Sequence, residues 1–151
     1  MLFRSTIKDA VDALREEGIA AGCLKIGCYR PFPMIQLRAA LEGLSRVIVV
    51  EKDLAVGIGG IVSADVRMAL NGLPIPVHTV IAGLGGRSIS AESLKQMVRD
   101  ARAERLREPC FLDLNEKVVD EELSRRSEQR RAGPLAEQLL RAVNAIGAKV
   151  S

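Results

Sequence analysis

Residues Arg46–Gly60 read RVIVVEKDLAVGIGG, and few folds accommodate that order. Val47-Ile48-Val49-Val50 is a continuous run of apolar β-formers that meets charge at Glu51-Lys52-Asp53. Such a run, bounded by charge, predicts a strand buried on both faces. Three glycines follow, Gly57, Gly59 and Gly60, and then a helical pattern from Ile61 to Leu70. Strand, glycine-rich turn and helix make half of a βαβ unit. In sheets of that kind, ligands and partners sit beyond the carboxyl ends of the strands.

The flanking chain repeats the alternation. Ile7, Ala10, Val11 and Leu14 have helical spacing within Ser5–Glu17, with Ser5 or Thr6 as cap and Gly18 as stop. Gly22–Tyr29 has the pattern of a short strand, broken by Arg30-Pro31-Phe32-Pro33, where Pro33 suits a first helical turn. Met34, Leu37, Ala40, Leu41 and Leu44 form one helix face. After Ile61–Leu70 and Asn71-Gly72, the connector Pro74-Ile75-Pro76 leads into a strand over Val77–Ala82. A second glycine-rich turn follows, Gly83-Leu84-Gly85-Gly86-Arg87. Ser90 then caps a helix whose inward residues are Ala91, Leu94, Met97, Val98 and Ala101. Cys110–Leu114 reads as a last short strand, and Glu116–Arg131 and Pro134–Ile146 as two more helices. Alternation of this kind predicts an α/β fold, a mainly parallel sheet with helices on both faces and a helical tail. The first helix has no full strand before it, whereas helices in a parallel sheet normally cross between two strands. The pattern therefore reads as an α/β unit lacking its first strand. The expected division is residues 1–114 for the α/β domain and 115–151 for the helical extension.

Composition narrows the function classes. Aromatic residues are 3% of 151 and Trp is absent, so the core must be aliphatic and a base-stacking or sugar-binding site has little to build on. The net charge of +3 comes largely from arginines interleaved with acids in the C-terminal third, the pattern of a solvated face or subunit contact. No nucleic-acid partner is expected, because a basic patch with aromatics or a known module is missing. No apolar run approaches the roughly 20 residues that span a bilayer, and Met1-Leu2-Phe3-Arg4 passes straight into a charged helix pattern. A membrane is therefore not expected, and the cytoplasm is the expected location. Cys23, Cys28 and Cys110 are odd in number and have no metal spacing, which suits buried free thiols.

Two turns are candidate sites. Gly57, Gly59 and Gly60 sit where backbone N–H groups at a helix start can cradle an anion. The dinucleotide fingerprint, however, requires its glycines directly after the strand, and six residues intervene here. The competing reading, which the spacing favours, is close approach of helix and neighbouring backbone. Gly83, Gly85 and Gly86 with Arg87 either bind an anion or form a tight exit turn that presents Arg87 to a partner chain. His78, the single histidine, reads as a hydrogen-bonded or edge residue rather than a catalyst. No catalytic residues and no metal ligands can be assembled from the spacing.

Several segments taken together resemble one family. RPFP at Arg30–Pro33, VIVVEKD followed by GIGGIVSADVRMAL, and VIAGLGGRSIS are similar to the second domain of the α chain of 2-oxoacid:ferredoxin oxidoreductases, of which pyruvate:ferredoxin oxidoreductase (pyruvate synthase) is the best-known member. TIKDAVDALREEGIAAG at Thr6–Gly22 resembles that domain's first helix and turn. The resemblance implies a fold like the C-terminal domain of transketolases, with a strand before the first helix. It also implies an enzyme that oxidatively decarboxylates a 2-oxoacid with coenzyme A, using thiamine diphosphate, Mg2+ and iron–sulfur clusters, with ferredoxin as electron acceptor. This chain has neither the Gly-Asp-Gly segment nor the cluster cysteines that those groups need. Arg30, Arg87 and the glycines match motif positions as anion-binding or subunit-contact candidates, and no catalytic role carries over to them. Glu51-Lys52-Asp53 departs from the Asp-Arg expected of many relatives, which bears on a salt bridge at the strand exit and leaves the subclass open.

The function expected is that of a non-catalytic structural and interaction domain of such an oxidoreductase, binding no cofactor itself. Its partners would be the other domains and subunits, and an open sheet edge would favour a homo-oligomer. The alternative is a free-standing module that holds a nucleotide or coenzyme A phosphate at its glycine-rich turns.

Overall fold

The computed structural model describes residues 2–129. In chain order the elements are α1 (Leu2–Glu16), α2 (Met34–Leu41), β1 (Val47–Glu51), α3 (Ile61–Ala69), β2 (Val77–Ile81), a 3-10 turn (Leu84–Gly86), α4 (Ala91–Arg102), β3 (Cys110–Phe111) and α5 (Glu116–Gln129). The three strands form one sheet in the order β1-β2-β3, parallel throughout. Val47 pairs with Val77 and Glu51 with Ile81, so β1 and β2 end level with each other. The expected α/β class with a parallel sheet is the one observed.

Alternate residues of β1 and β2 feed two cores. Val47, Val49 and Val77 join Leu37 and Leu41 of α2 and Val66 and Ala69 of α3. Ile48, Val50 and Val80 join Ala10 of α1 and Leu94 and Met97 of α4. This period of two explains why a continuous apolar run was needed, since each face of the sheet packs against helices. Both layers are almost wholly aliphatic, as the scarcity of aromatics requires. The end of α1 is tied to α4 by polar contacts as well. Arg99 donates to both oxygens of Glu17, at 2.9 and 2.7 Å, and also reaches Glu92.

The capping and turn readings hold at most places. Ser90 Oγ accepts the Ser93 N–H at 3.0 Å and opens α4, and Gly18 leaves α1 in the left-handed region at φ +77°. Three expectations need correction. First, α1 begins at Leu2, so Ser5 and Thr6 lie inside the helix and not at its cap. Second, Gly22–Tyr29 is not a strand. Among the described residues β1 is paired on one side only, and the segment lies outside the sheet, with Ile26 packed against the α2–α3 core. Arg15 Nε fastens its start by donating to the Ala21 carbonyl at 2.7 Å. A strand pattern specifies alternation but not a partner, and without a ladder this stretch stays irregular. Third, Cys23 and Cys28 are exposed, a consequence of the same irregular path, and Cys110 is half-buried.

The chain divides into two compact units, Met1–Asp113 and Leu114–Ser151. In the second, Asn115 Oδ1 accepts the Val118 N–H at the start of α5, and Arg125 pairs with Glu122 one turn apart. The last two residues of the expected helix Glu116–Arg131 and all of the expected helix Pro134–Ile146 lie outside the described residues.

Leu14 is 1% exposed and Ile35 is 82% exposed, although both are large aliphatic residues on helices. Leu14→Ala should lower unfolding free energy by about 2–5 kcal/mol through lost transfer and a residual cavity. Ile35→Ala should change it by less than about 0.5 kcal/mol. Urea unfolding followed by circular dichroism measures both.

Candidate functional site

The carboxyl ends of β1 and β2 bring both glycine-rich turns to one end of the sheet. β1 closes on Glu51, whose side chain turns inward and is 5% exposed. A buried carboxylate requires donors, and α3 supplies them from its unsatisfied first turn. Val62 N–H donates to Glu51 Oε2 at 2.7 Å, and Ser63 N–H to Oε1 at 3.0 Å. Ser63 Oγ donates in turn to the Gly60 carbonyl at 3.1 Å. The negative charge also sits at the positive end of the helix dipole. Gly60 is the residue that lets the carboxylate in. A Cβ there would lie 2.1 Å from Glu51 Oε1 and 2.5 Å from Ser63 Oγ.

Between Glu51 and Gly60 the chain makes a small closed tip. Ala55 N–H donates to the Gly59 carbonyl and Gly59 N–H to the Ala55 carbonyl, each at 2.8 Å, and Ile58 N–H donates to the Ala55 carbonyl at 3.0 Å. Gly57 and Gly59 take φ of +84° and +96° to close it. The side chains on this tip are apolar and face solvent: Val56 is 97% and Ile58 77% exposed.

The turn after β2 is built differently. Gly83, at φ +71°, caps the 3-10 turn that carries Leu84, Gly85 and Gly86. The Lys52 side chain from the β1 exit lies over it, its Cε 3.1 Å from where a Gly83 Cβ would stand. Arg87 Nη1 donates to the Asp113 carbonyl at 2.9 Å, and Ser93 Oγ donates to the Asp113 carboxylate at 2.8 Å. Arg87 thus fastens the chain after β3 to the turn after β2.

Arg30 is fastened elsewhere, to α3. Its Nη1 lies 2.8 Å from Asp65 Oδ2, and the Tyr29 hydroxyl donates to the same oxygen at 2.6 Å. The guanidinium lies over the Tyr29 ring at 4.1 Å and near Phe32 at 5.9 Å, and the two rings meet edge-on. The Tyr29 hydrogen bond, followed by the Arg30 contact, holds the Asp65 carboxyl below the ordinary aspartate range. The same hydrogen bond raises the Tyr29 phenol. Asp65 and Tyr29 escaped the sequence reading, since Asp65 lies on α3, 36 residues beyond Tyr29.

His78 is hydrogen-bonded, as its strand position suggested. Its Nδ1 lies 3.0 Å from Glu108 Oε1, while its Nε2 is buried with no hydrogen-bond partner. Glu108 also accepts the Thr79 N–H, and Arg67 bridges to the Thr79 hydroxyl at 2.8 Å and to Glu108 at 3.4 Å. This cluster fixes the approach of β3 to β2. Burial raises the Cys110 thiol beside it, helped by the charges of Glu108 and Asp100.

Among the described residues, neither a metal-ligand group nor an open diphosphate cradle at the start of α3 is formed for the cofactors that the family resemblance implies. Among the described residues, no three His, Cys, Asp or Glu side chains group as ligands for a metal ion. The donors at the start of α3 that would face a diphosphate are taken by Glu51. No helix among the described residues is long and apolar enough to cross a membrane.

Comparison with known proteins agrees with this architecture. The model of the pyruvate:ferredoxin oxidoreductase core domain II family matches residues 2–94. The chain is 34% identical over 95 residues to pyruvate synthase subunit PorA of Methanothermobacter thermautotrophicus, covering 63% of this chain and 24% of that protein. It is 40% identical over 98 residues to the PorA subunit of Pyrococcus horikoshii, covering 64% and 25%. It is also 32% identical over 99 residues to ketoisovalerate oxidoreductase subunit VorA of the same organism, again covering 64% and 25%. The chain therefore spans about a quarter of the length of the curated relatives it matches.

Two measurements check the geometry. Gly60→Ala should destabilise the fold by about 1–3 kcal/mol by overpacking against Glu51. Glu51→Ala should cost a comparable amount by leaving the two N–H groups of α3 unpaired, about 1–3 kcal/mol. Because the two residues share one contact, the double variant should lose less than the sum, and equal additivity in urea unfolding would contradict the contact. For Asp65, the folded pKa lies below the unfolded value of about 3.9. Its contribution is therefore present above that value and is lost as pH falls through the folded pKa. Urea midpoints between pH 7 and pH 3 should fall less steeply in Asp65→Asn than in the parent chain.

Proposed function

Because the chain belongs to the pyruvate:ferredoxin oxidoreductase core domain II family, we propose that it is a structural and interaction domain of a thiamine-diphosphate-dependent 2-oxoacid:ferredoxin oxidoreductase. In this reading the holoenzyme oxidatively decarboxylates a 2-oxoacid to an acyl-CoA and passes electrons to ferredoxin. Thiamine diphosphate, Mg2+, iron–sulfur clusters and coenzyme A belong to its other domains and subunits. The relatives include both a pyruvate synthase subunit and a ketoisovalerate oxidoreductase subunit, so in this reading the 2-oxoacid is a small aliphatic one.

One observation supports the structural role above the others. The polar motif side chains have partners within the chain, Arg30 and Arg87 at its surface and Glu51 in its interior. Arg30 is held by Asp65 and Arg87 by the Asp113 carbonyl, while Glu51 fills the start of α3. Past the exposed charges of Lys52 and Asp53, Leu54, Val56 and Ile58 face solvent, and an apolar surface is suited to contact with protein. The outer edge of β1 is a second surface for association. Among the described residues it pairs with β2 on one side only, and an edge of that kind can take a strand from a second copy.

Co-purification with the remaining oxidoreductase subunits from the same organism tests the reading. A stable complex is expected, and failure of the purified components to associate would contradict it. The phosphate-binding alternative is separated by calorimetry with coenzyme A, ATP and NAD. No heat of binding is expected at millimolar ligand, and saturable binding would favour the alternative. Light scattering should give a dimer, and a monodisperse monomer would remove the edge contact.

A further inference from the structure

We infer that Asn71 is a self-modification site: the Gly72 backbone nitrogen closes on the Asn71 side-chain carboxamide, and Arg38, held on the intervening carbonyl, speeds that closure. The inference is independent of the functional reading above and concerns the turn between α3 and β2.

The chain has three asparagines, and only Asn71 is followed by glycine. Both residues of the pair are exposed. Gly72 takes φ +82°, and a Cβ built on it would meet nothing within 4 Å, so neither a side chain nor a neighbour bars the approach to its nitrogen. Around the turn, Asn71 N–H donates to the Met68 carbonyl at 3.3 Å and Leu73 N–H to the Leu70 carbonyl at 3.0 Å. Among the described residues nothing accepts the Gly72 N–H, and the Asn71 carboxamide has no partner. The Asn71 backbone, by contrast, is held. Arg38 Nη1 donates to the Asn71 carbonyl at 2.8 Å and to the Ala69 carbonyl at 3.1 Å. The guanidinium meets no carboxylate among the described residues.

The step needs water alone. Gly72 gives its N–H proton to solvent base and its nitrogen attacks Asn71 Cγ. The Cγ–NH2 bond breaks, and the amide nitrogen takes a proton from solvent and leaves as ammonia. Water then opens the cyclic imide at either carbonyl, which yields aspartate or isoaspartate at position 71. In the attacking form the negative charge is shared between the Gly72 nitrogen and the Asn71 carbonyl oxygen. An Arg38 cation without a carboxylate, already donating to that oxygen, stabilises this form as a preorganised donor stabilises an oxyanion. Aspartate adds a negative charge to the residue that Arg38 holds. Isoaspartate routes the main chain through the side-chain methylene, just before Leu73 and Ile75, which pack against the α2–α3 core.

The test incubates the full chain in mildly alkaline buffer, folded or unfolded in urea, and follows each asparagine by peptide mapping with mass spectrometry. Fragmentation of the main chain separates isoaspartate from aspartate. The parent is compared with Arg38→Met, Arg38→Lys and Asn71→Gln, and thermal melts establish which variants fold. In the folded parent, Asn71 should convert from amide to acid faster than Asn115, whose Oδ1 accepts the Val118 N–H, and at least as fast as it does in urea. Arg38→Met should slow the folded reaction several-fold and leave the rate in urea unchanged. Arg38→Lys keeps the charge and should lie between. Parent chain enriched in the converted form by ion exchange should unfold at lower urea, while Asn71→Gln should keep its midpoint on storage. Conversion of Asn71 no faster than that of Asn115 would overturn the site. An equal or higher rate in folded Arg38→Met would overturn the role of Arg38. If Arg38→Met does not fold, the parent decides alone: slower conversion folded than in urea means that the turn protects Asn71, and the inference falls.

Discussion

The contact between Glu51 and the start of α3 sets the rest of the molecule. A parallel sheet aims the carboxyl end of each strand near a helix start, where unpaired N–H groups and a positive dipole end collect. Many α/β proteins leave that position for a ligand's phosphate. Here the strand supplies its own anion. Glu51 reaches Val62 and Ser63 from within β1, and Gly60 has no Cβ to bar it. The price is that the Val62 and Ser63 N–H groups are occupied by Glu51. The return is a fixed angle between β1 and α3, and with it a fixed tip between Ala55 and Gly59.

The same economy runs through the other motif residues. Arg30, Tyr29 and Asp65 form one cluster that fastens the segment before α2 to α3. Arg87 fastens the chain after β3 to the turn after β2, and Glu108 joins β3's approach to Thr79 and His78. A three-stranded sheet buries little on its own, and these polar ties compensate at its ends. Arg30 and Arg87, which a motif reading offers for anion binding or subunit contact, thus also tie short elements of the chain together.

The parts of the fold legible in the sequence were those written in local periodicity. The Val47–Val50 run, the helical spacing of Leu94, Met97 and Ala101, and the Ser90 cap each depend on neighbours within a turn or two, and each appears as expected. Gly22–Tyr29 failed because alternation carries no record of whether a partner strand exists. Cys23 and Cys28 failed with it, since their burial was inferred from the strand. Gly60 was legible as a close-approach glycine, but the atom approaching it was not. Glu51 lies nine residues earlier, and only the turn of the chain brings them together. The exposure of Val56 and Ile58 was hidden for a related reason: apolar residues between a strand and a helix read as core until their direction is known.

Nuclear magnetic resonance titration of the backbone amides of Val62 and Ser63 with inorganic pyrophosphate tests most directly whether the chain carries its own anion. Both signals should stay in place at millimolar pyrophosphate and move when Glu51 is replaced by Gln. A saturable shift of both amides in the parent chain would mean that the start of α3 is open to a phosphate after all, and would contradict the account.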